Sequence, residues 1–204
     1  MFKLLDNVLE SVQFNQLRDE LTSSMFPWYY VKDTALQTGA AVENNFSFHN
    51  TVYDVDQPQY DYMGPTYDIC VAALKSSLKA LGYELKELHR IRINLYTRNH
   101  ETMVHHPHID DDNRDSKIGI LYITTNYDSP TLIFNELFDS QKDINDVNNI
   151  EGRTFTIRDV VHSNENRFVL FDGNRYHSST RPTKEDIRVN INYNFTIYDS
   201  NSKP

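Results

Sequence analysis

The segment Ile187-Arg-Val-Asn-Ile-Asn-Tyr-Asn-Phe195 alternates apolar and polar side chains without a break. Successive side chains of an extended strand point to opposite faces. Ile187, Val189, Ile191, Tyr193 and Phe195 therefore share one face, and Arg188, Asn190, Asn192 and Asn194 share the other. The same period of two runs through Arg90-Ile-Arg-Ile-Asn-Leu-Tyr96, with Ile91, Ile93 and Leu95 opposite Arg92, Asn94 and Tyr96. Strands are predicted here, over 188–198, and over 118–125, 131–134, 154–157 and 168–171. The polar stretch 139–152 reads as a loop or insertion.

Upstream the period is helical. Phe14, Leu17 and Leu21 follow a candidate cap at Ser11, predicting a helix near 11–22. Thr66 is the candidate cap of a second helix, with Asp68 in its first turn. Cys70, Leu74, Leu78 and Leu81 form one apolar stripe, and Gly82 stops it. Between them, Phe26-Pro-Trp-Tyr-Tyr30 opens an aromatic, polar stretch in which Trp28 reads as a core anchor. Two helices followed by many short strands predict a mainly β chain, its helices packed on one sheet of a β-sandwich or jelly roll. We read residues 1–204 as a single domain, with a helical and aromatic part over 1–89 and a β core over 90–198.

Composition narrows the function classes. With 29 acidic against 20 basic residues the net charge is -9, opposite in sign to that of a general nucleic-acid binder. No apolar run approaches the roughly 20 residues that span a bilayer. The start of the chain lacks the apolar core of a secretion signal, so a cytoplasmic protein is expected. The single Cys70 excludes an internal disulfide and is expected as a small buried side chain, in keeping with a reducing compartment.

The densest set of metal-ligand types is His106-Pro-His108-Ile-Asp110. On extended backbone His108 and Asp110 point to one side and can hold one ion together. His177, after an apolar strand and the turn Asp172-Gly173-Asn174, is the candidate third ligand. Two imidazoles and one carboxylate on one face of an octahedron suit non-haem iron(II) and leave positions open. His105 and His106 are alternative ligands in a His-x-His zinc arrangement, and a solvated His- and Asp-rich loop is the plain alternative. Arg188 lies eleven positions beyond His177, where a guanidinium can pair with a carboxylate of a metal-bound ligand. It reads equally as a solvent-facing strand residue.

At His108-Ile-Asp110, His177 and Arg188 the chain resembles the 2-oxoglutarate/iron(II) dioxygenase superfamily, in its prolyl-4-hydroxylase-like branch. It looks similar to small hydroxylase-like proteins of bacteriophages, through the 90–96 strand, Asn166-Arg-Phe-Val-Leu-Phe-Asp-Gly-Asn-Arg-Tyr-His-Ser178 and Phe26-Pro-Trp-Tyr-Tyr30. The resemblance implies a double-stranded β-helix with Fe(II) on His108, Asp110 and His177. It implies 2-oxoglutarate with its distal carboxylate on Arg188 and a hydrogen bond from Tyr96, which reads equally as a packed core residue. It further implies O2 as co-substrate, with ascorbate as an accessory reductant, and a hydroxylase that converts 2-oxoglutarate to succinate. The expected partner is a peptide prolyl residue or a small molecule, with host cytoplasm as the location for a phage protein. A non-catalytic jelly-roll module binding metal or sugar is the alternative.

Two departures touch the expected entrance. The family's Gly-Gly-x-Thr turn is replaced by Asp128-Ser-Pro-Thr131, and the interval 111–176 is long. Acidic residues Asp111, Asp112, Asp115, Asp139 and Asp143 are expected on the entrance rim, favouring an uncharged or basic substrate. Arg181, in Ser-Thr-Arg-Pro, is the rival of Arg188 and is expected nearer that entrance.

Overall fold

The computed structural model describes residues 1–32, 34, 45–57, 64–110, 115–138 and 153–199. The chain order is β1 (Phe2–Leu5), α1 (Ser11–Leu21), β2 (Tyr29–Val31), β3 (Ser47–Asp54), α2 (Pro65–Ala80) and β4 (Tyr83–Thr97). Then come β5 (Lys117–Tyr122), β6 (Asn126–Leu137), β7 (Ile157–Ser163), β8 (Arg167–Asp172), β9 (Arg175–Ser179) and β10 (Ile187–Asp199). The seven-stranded sheet runs β1-β8-β5-β10-β4-β3-β2, and the three-stranded sheet runs β7-β6-β9. Among the described residues every strand pairing is antiparallel. Isolated bridges from Val104 to Thr180 and from His108 to His177 lay one more extended segment along the free edge of β9. The result is a jelly roll.

The alternation of β10 divides the molecule as its sequence implies. Val189, Ile191, Tyr193 and Phe195 join Ile91 and Ile93 of β4 in a core shared with Phe14, Leu17 and Leu21 of α1 and Cys70, Leu74 and Leu78 of α2. Both helices thus cover the outer face of the large sheet. The Tyr193 hydroxyl reaches through this core to the Cys70 carbonyl at 3.1 Å. Cys70 is free and buried, and burial, with Glu20 nearby, pushes its thiol up to about 12. Trp28 packs partly buried against the same core, edge-on to Phe26 at 4.8 Å.

The inner face is half apolar and half polar. Ile118, Ile120, Tyr122, Val169 and Phe171 meet Ile133 and Val161 of the small sheet, closing one half of the sandwich. In the other half, β4 and β10 set Arg90, Arg92, Asn94 and Tyr96 opposite Asn194, Asn192, Asn190 and Arg188. A polar interior at the mouth of a β-sandwich cannot hold the sheets together by burial, and such interiors suit ligand sites.

Several boundaries differ from the sequence reading. α1 is capped at Glu10 and begins at Ser11, with no side-chain cap. α2 is capped at Gly64 with Pro65 in its first turn; the fixed φ of proline starts the helix, so Thr66 lies inside it and does not cap it. Gly82, at φ +82°, follows the end of α2 in the left-handed conformation expected of it. The division at residue 89 falls inside β4, and the N-terminal part contributes β1, β2 and β3 to the large sheet. Residues 154–156 precede β7, which runs through Ile157–Ser163. Asp128-Ser-Pro-Thr131 is no turn but an irregular part of β6, where the register with β7 shifts between Asn126 and Thr131. The 139–152 stretch lies outside the described residues. No helix among the described residues is long and apolar enough to cross a membrane.

Candidate metal centre

Three ligand types converge where the extended segment bridges β9. His108 and His177 exchange backbone hydrogen bonds in both directions at 3.0 Å, which brings their rings to 4.5 Å between centroids. Asp110 lies two residues on, with its Oδ2 3.6 Å from His177 Nε2 and its Oδ1 4.0 Å from His108 Nε2. One ligand atom from each of the three lies within 4.8 Å of the others. His177 is only 3% exposed and also pairs with Ile133 of β6, so its backbone is held from both sides.

Each ring is turned by its other nitrogen. His108 Nδ1 lies 3.0 Å from the His106 carbonyl, and His177 Nδ1 lies 3.2 Å from the Arg175 carbonyl. A carbonyl only accepts, so Nδ1 carries the proton and Nε2 presents its lone pair to the cluster. Burial pushes the His108 imidazole down to about 4, helped by His177, so it is neutral at physiological pH. Burial alone would raise the Asp110 carboxyl, but Arg90, with His177 and His108, holds it well below the usual carboxylate range. Arg90 lies 3.0 Å from Asp110 Oδ1, and Asn192 Nδ2 donates to Oδ2 at 2.7 Å. Two imidazoles with Nε2 turned inward and one ionised, oriented carboxylate are the donors a divalent transition metal takes, and the set fits iron(II).

His105 and His106 do not join this group. His105 stacks on Tyr96 at 5.2 Å and sets Nδ1 against Ser179 Oγ at 2.7 Å. Among the described residues, the three-residue metal-ligand group is His108, Asp110 and His177.

Arg188 is not solvent-facing. It is 1% exposed, with its guanidinium 5.4 Å from the Tyr96 ring centroid and 5.6 Å from that of Tyr122. It donates to Thr131 Oγ1 at 2.8 Å and to the Thr180 carbonyl at 3.4 Å, and its buried Nε has no partner. No carboxylate of the described residues pairs with it. Tyr96 is 6% exposed, and its hydroxyl accepts from Ser179 Oγ at 3.3 Å.

Arg181 departs from expectation. It is 2% exposed, bonded to the Thr97 carbonyl at 3.1 Å and to Thr97 Oγ1 at 2.7 Å, and it covers Phe46 at 4.5 Å. A backbone-bonded, buried guanidinium is a packing element, not part of an entrance. Of the acidic residues expected on the rim, Asp115 is described and exposed, whereas Asp111, Asp112, Asp139 and Asp143 lie outside the described residues. Sequence reasoning missed Arg90, Asn192, Tyr122 and Thr131. The inward period of β10 and β4 could have marked the first two; Thr131 was hidden by its apparent turn.

No family model matches the chain, and no curated protein matches it. Solved structures do. A Pseudomonas putida prolyl-4-hydroxylase aligns over 96% of this chain and 91% of its own, at 14% identity and a TM-score of 0.56. A 2OG-Fe(II) oxygenase family oxidoreductase from Burkholderia pseudomallei aligns over 96% and 84%, at 13% identity and a TM-score of 0.60. A non-haem α-ketoglutarate-dependent carbocyclase of nogalamycin biosynthesis aligns over 96% and 79%, at 8% identity and a TM-score of 0.64. The chain therefore has, over nearly its whole length, the jelly-roll fold of these 2-oxoglutarate oxygenases.

Proposed function

We propose that this chain is an Fe(II)- and 2-oxoglutarate-dependent dioxygenase, a hydroxylase acting on a peptide prolyl residue or a small molecule. The observation that carries the reading is the convergence of His108, Asp110 and His177 with both Nε2 lone pairs aimed inward. Three ligands on one face leave coordination positions open, as a catalytic metal requires and a closed structural site does not. Iron(II), when bound with 2-oxoglutarate and O2, supplies the oxidising power for hydroxylation while 2-oxoglutarate is converted to succinate.

The protein's own part is positional. His108, Asp110 and His177 would hold the metal, and Arg90 and Asn192 keep Asp110 ionised and aimed. Arg188 would receive the distal carboxylate of 2-oxoglutarate, since a buried guanidinium with an unpartnered Nε is costly until an anion reaches it. Tyr96 and Tyr122 form the walls around that charge and exclude water from it. This unpaired arginine is what favours an enzyme over a non-catalytic metal-binding module, which has no use for it. Two similar solved structures are prolyl hydroxylases, one in complex with a peptide fragment, and this supports a prolyl substrate. An epimerase and a carbocyclase of nogalamycin biosynthesis share the fold and support small-molecule chemistry.

The test is mass spectrometry of succinate formed with Fe(II), 2-oxoglutarate, O2 and ascorbate, against panels of proline-containing peptides, metabolites and single-stranded DNA. Metal-dependent succinate release stimulated by a peptide or metabolite is expected. Metal binding with no succinate under any condition would favour the non-catalytic module, and stimulation by DNA alone would contradict the substrate class.

A further inference from the structure

We infer that Arg92 binds a carboxylate of the substrate at the level of Asp110, an inference that rests on the oxygenase reading above. Arg92 shares the inward face of β4 with Arg90 and Tyr96, because its neighbours Ile91 and Ile93 are in the helix-covered core. Across the sheet it pairs with Asn192, whose amide holds Asp110, and on its other side with Thr51 of β3. Arg90 next to it is satisfied by Asp110 and Asn194. Arg92 is not. Its guanidinium makes no ion pair or hydrogen bond among the described residues, and its Nε is buried without a partner.

Two carboxylates act on it only at a distance, Asp110 first and then Asp54, and neither forms an ion pair with it. Asp54, the nearest carboxylate on β3, pairs in register with Arg90 and forms no ion pair with Arg92. His49, in register with Asn94, is held neutral, its imidazole pushed down to about 4 by burial and then by Arg92 and Arg90. A half-buried guanidinium with an unpartnered Nε and no direct ion pair is completed by a ligand that brings a carboxylate to it.

That ligand is not the distal carboxylate of 2-oxoglutarate. Arg188 and Asn192 are four residues apart on β10, so the level of Arg92 lies about 13 Å along the sheet from that of Arg188. Space for a second molecule is at hand. His49 and Thr51 also line a cavity of about 720 Å³ at the open edge of the large sheet, walled by Phe26, Tyr29 and Tyr30. Arg92 stands in register with Thr51 of that lining, so an acid entering at this edge would bring its carboxylate past Thr51 to Arg92. The interior thus selects the opposite charge to the one that surface composition suggests.

The experiment uses the full chain loaded with Mn(II) and 2-oxoglutarate, and calorimetry with matched probes. These are N-acetyl-L-proline and its amide, and a proline-containing peptide carrying glutamate or, in its twin, glutamine. An acid should bind about 10- to 100-fold more tightly than its neutral twin, the acid that does so separating a small molecule from a peptide. R92Q should abolish that preference and R92K should retain part of it. Metal-free R92Q should melt at or above the wild-type temperature, since it removes a half-buried charge that makes no ion pair. Absence of acid preference, no binding by any probe, or a lowered melting temperature in R92Q would overturn the assignment. So would a loss of 2-oxoglutarate affinity in R92Q equal to that in R188Q. Failure of the wild type to bind Mn(II) and 2-oxoglutarate would overturn the oxygenase reading, and this one with it.

Discussion

Asn192 donates its side-chain amide to Asp110 Oδ2 at 2.7 Å, joining the last strand of the large sheet to the segment that carries the metal ligands. The carboxylate is thereby fixed from the sheet as well as by its own backbone. Asn192→Ala should leave the fold intact and weaken metal binding by about 10- to 100-fold, as loss of a group orienting a ligand does. Titration of Mn(II) by calorimetry checks this; unchanged affinity would mean that Arg90 alone orients Asp110.

Arg188 and Arg181 should separate cleanly. Arg188→Lys keeps the charge and loses the two-pronged geometry, so KM for 2-oxoglutarate should rise with a smaller change in kcat. Arg181→Ala removes two hydrogen bonds to Thr97 and the cover over Phe46, so its main effect should be a loss of stability. A larger rise in KM for Arg181→Ala than for Arg188→Ala would reverse the assignment.

Acid should weaken the metal-free protein before its carboxylates titrate. Burial pushes the His105 imidazole down to about 3, with His108, Arg188 and Arg181 adding to the effect. The unfolded chain then binds the proton that the folded chain refuses. This contribution to stability is complete above about pH 6.5 and is lost as pH falls toward the folded value. Within that window one such histidine contributes a slope of about 1.4 kcal/mol per pH unit. His49 and His108 act in the same direction. His105→Gln should flatten the dependence of unfolding free energy on pH between about pH 6 and 4.5, measured by urea titration. Equal slopes in the two proteins would refute it.

Asn166 ties the start of the chain to the β core. It stands at φ +58°, accepts from the Leu9 amide at 2.9 Å through Oδ1, and donates to the Leu9 carbonyl at 2.9 Å through Nδ2. Asn166→Ala loses both bonds and strains the left-handed backbone, and should cost about 2–4 kcal/mol in urea unfolding. Asn166→Gly should cost less, because it relieves the strain. A smaller loss in the alanine variant than in glycine would contradict this account.

The strands of clean period two were legible because the outer and inner environments of the large sheet differ sharply. Val189 and Ile191 meet helices, whereas Asn190 and Asn192 meet a polar interior. β1 and β2 were not legible: at four and three residues they are too short for a period, and pairing with β8 and β3 makes them strands. β6 was obscured because Pro130 sits in its irregular stretch, and proline in a strand is read as a break. The candidate metal residues were legible because His108 and Asp110 share one side of an extended segment and His177 follows an apolar strand and a turn. For the partners of Asp110 the period could mark Arg90 and Asn192 only as inward-facing; their pairing with Asp110 depends on a register that only the fold supplies.

The most direct measurement of the central claim is a crystal structure with Mn(II) and 2-oxoglutarate, with the metal located by anomalous scattering. The account predicts one peak bound by His108 Nε2, Asp110 and His177 Nε2, with the distal carboxylate of 2-oxoglutarate on Arg188. It also predicts that the peak vanishes in His108→Ala, Asp110→Ala and His177→Ala, each of which should abolish iron-dependent turnover. A peak on His105 and His106, or 2-oxoglutarate bound away from Arg188, would contradict it.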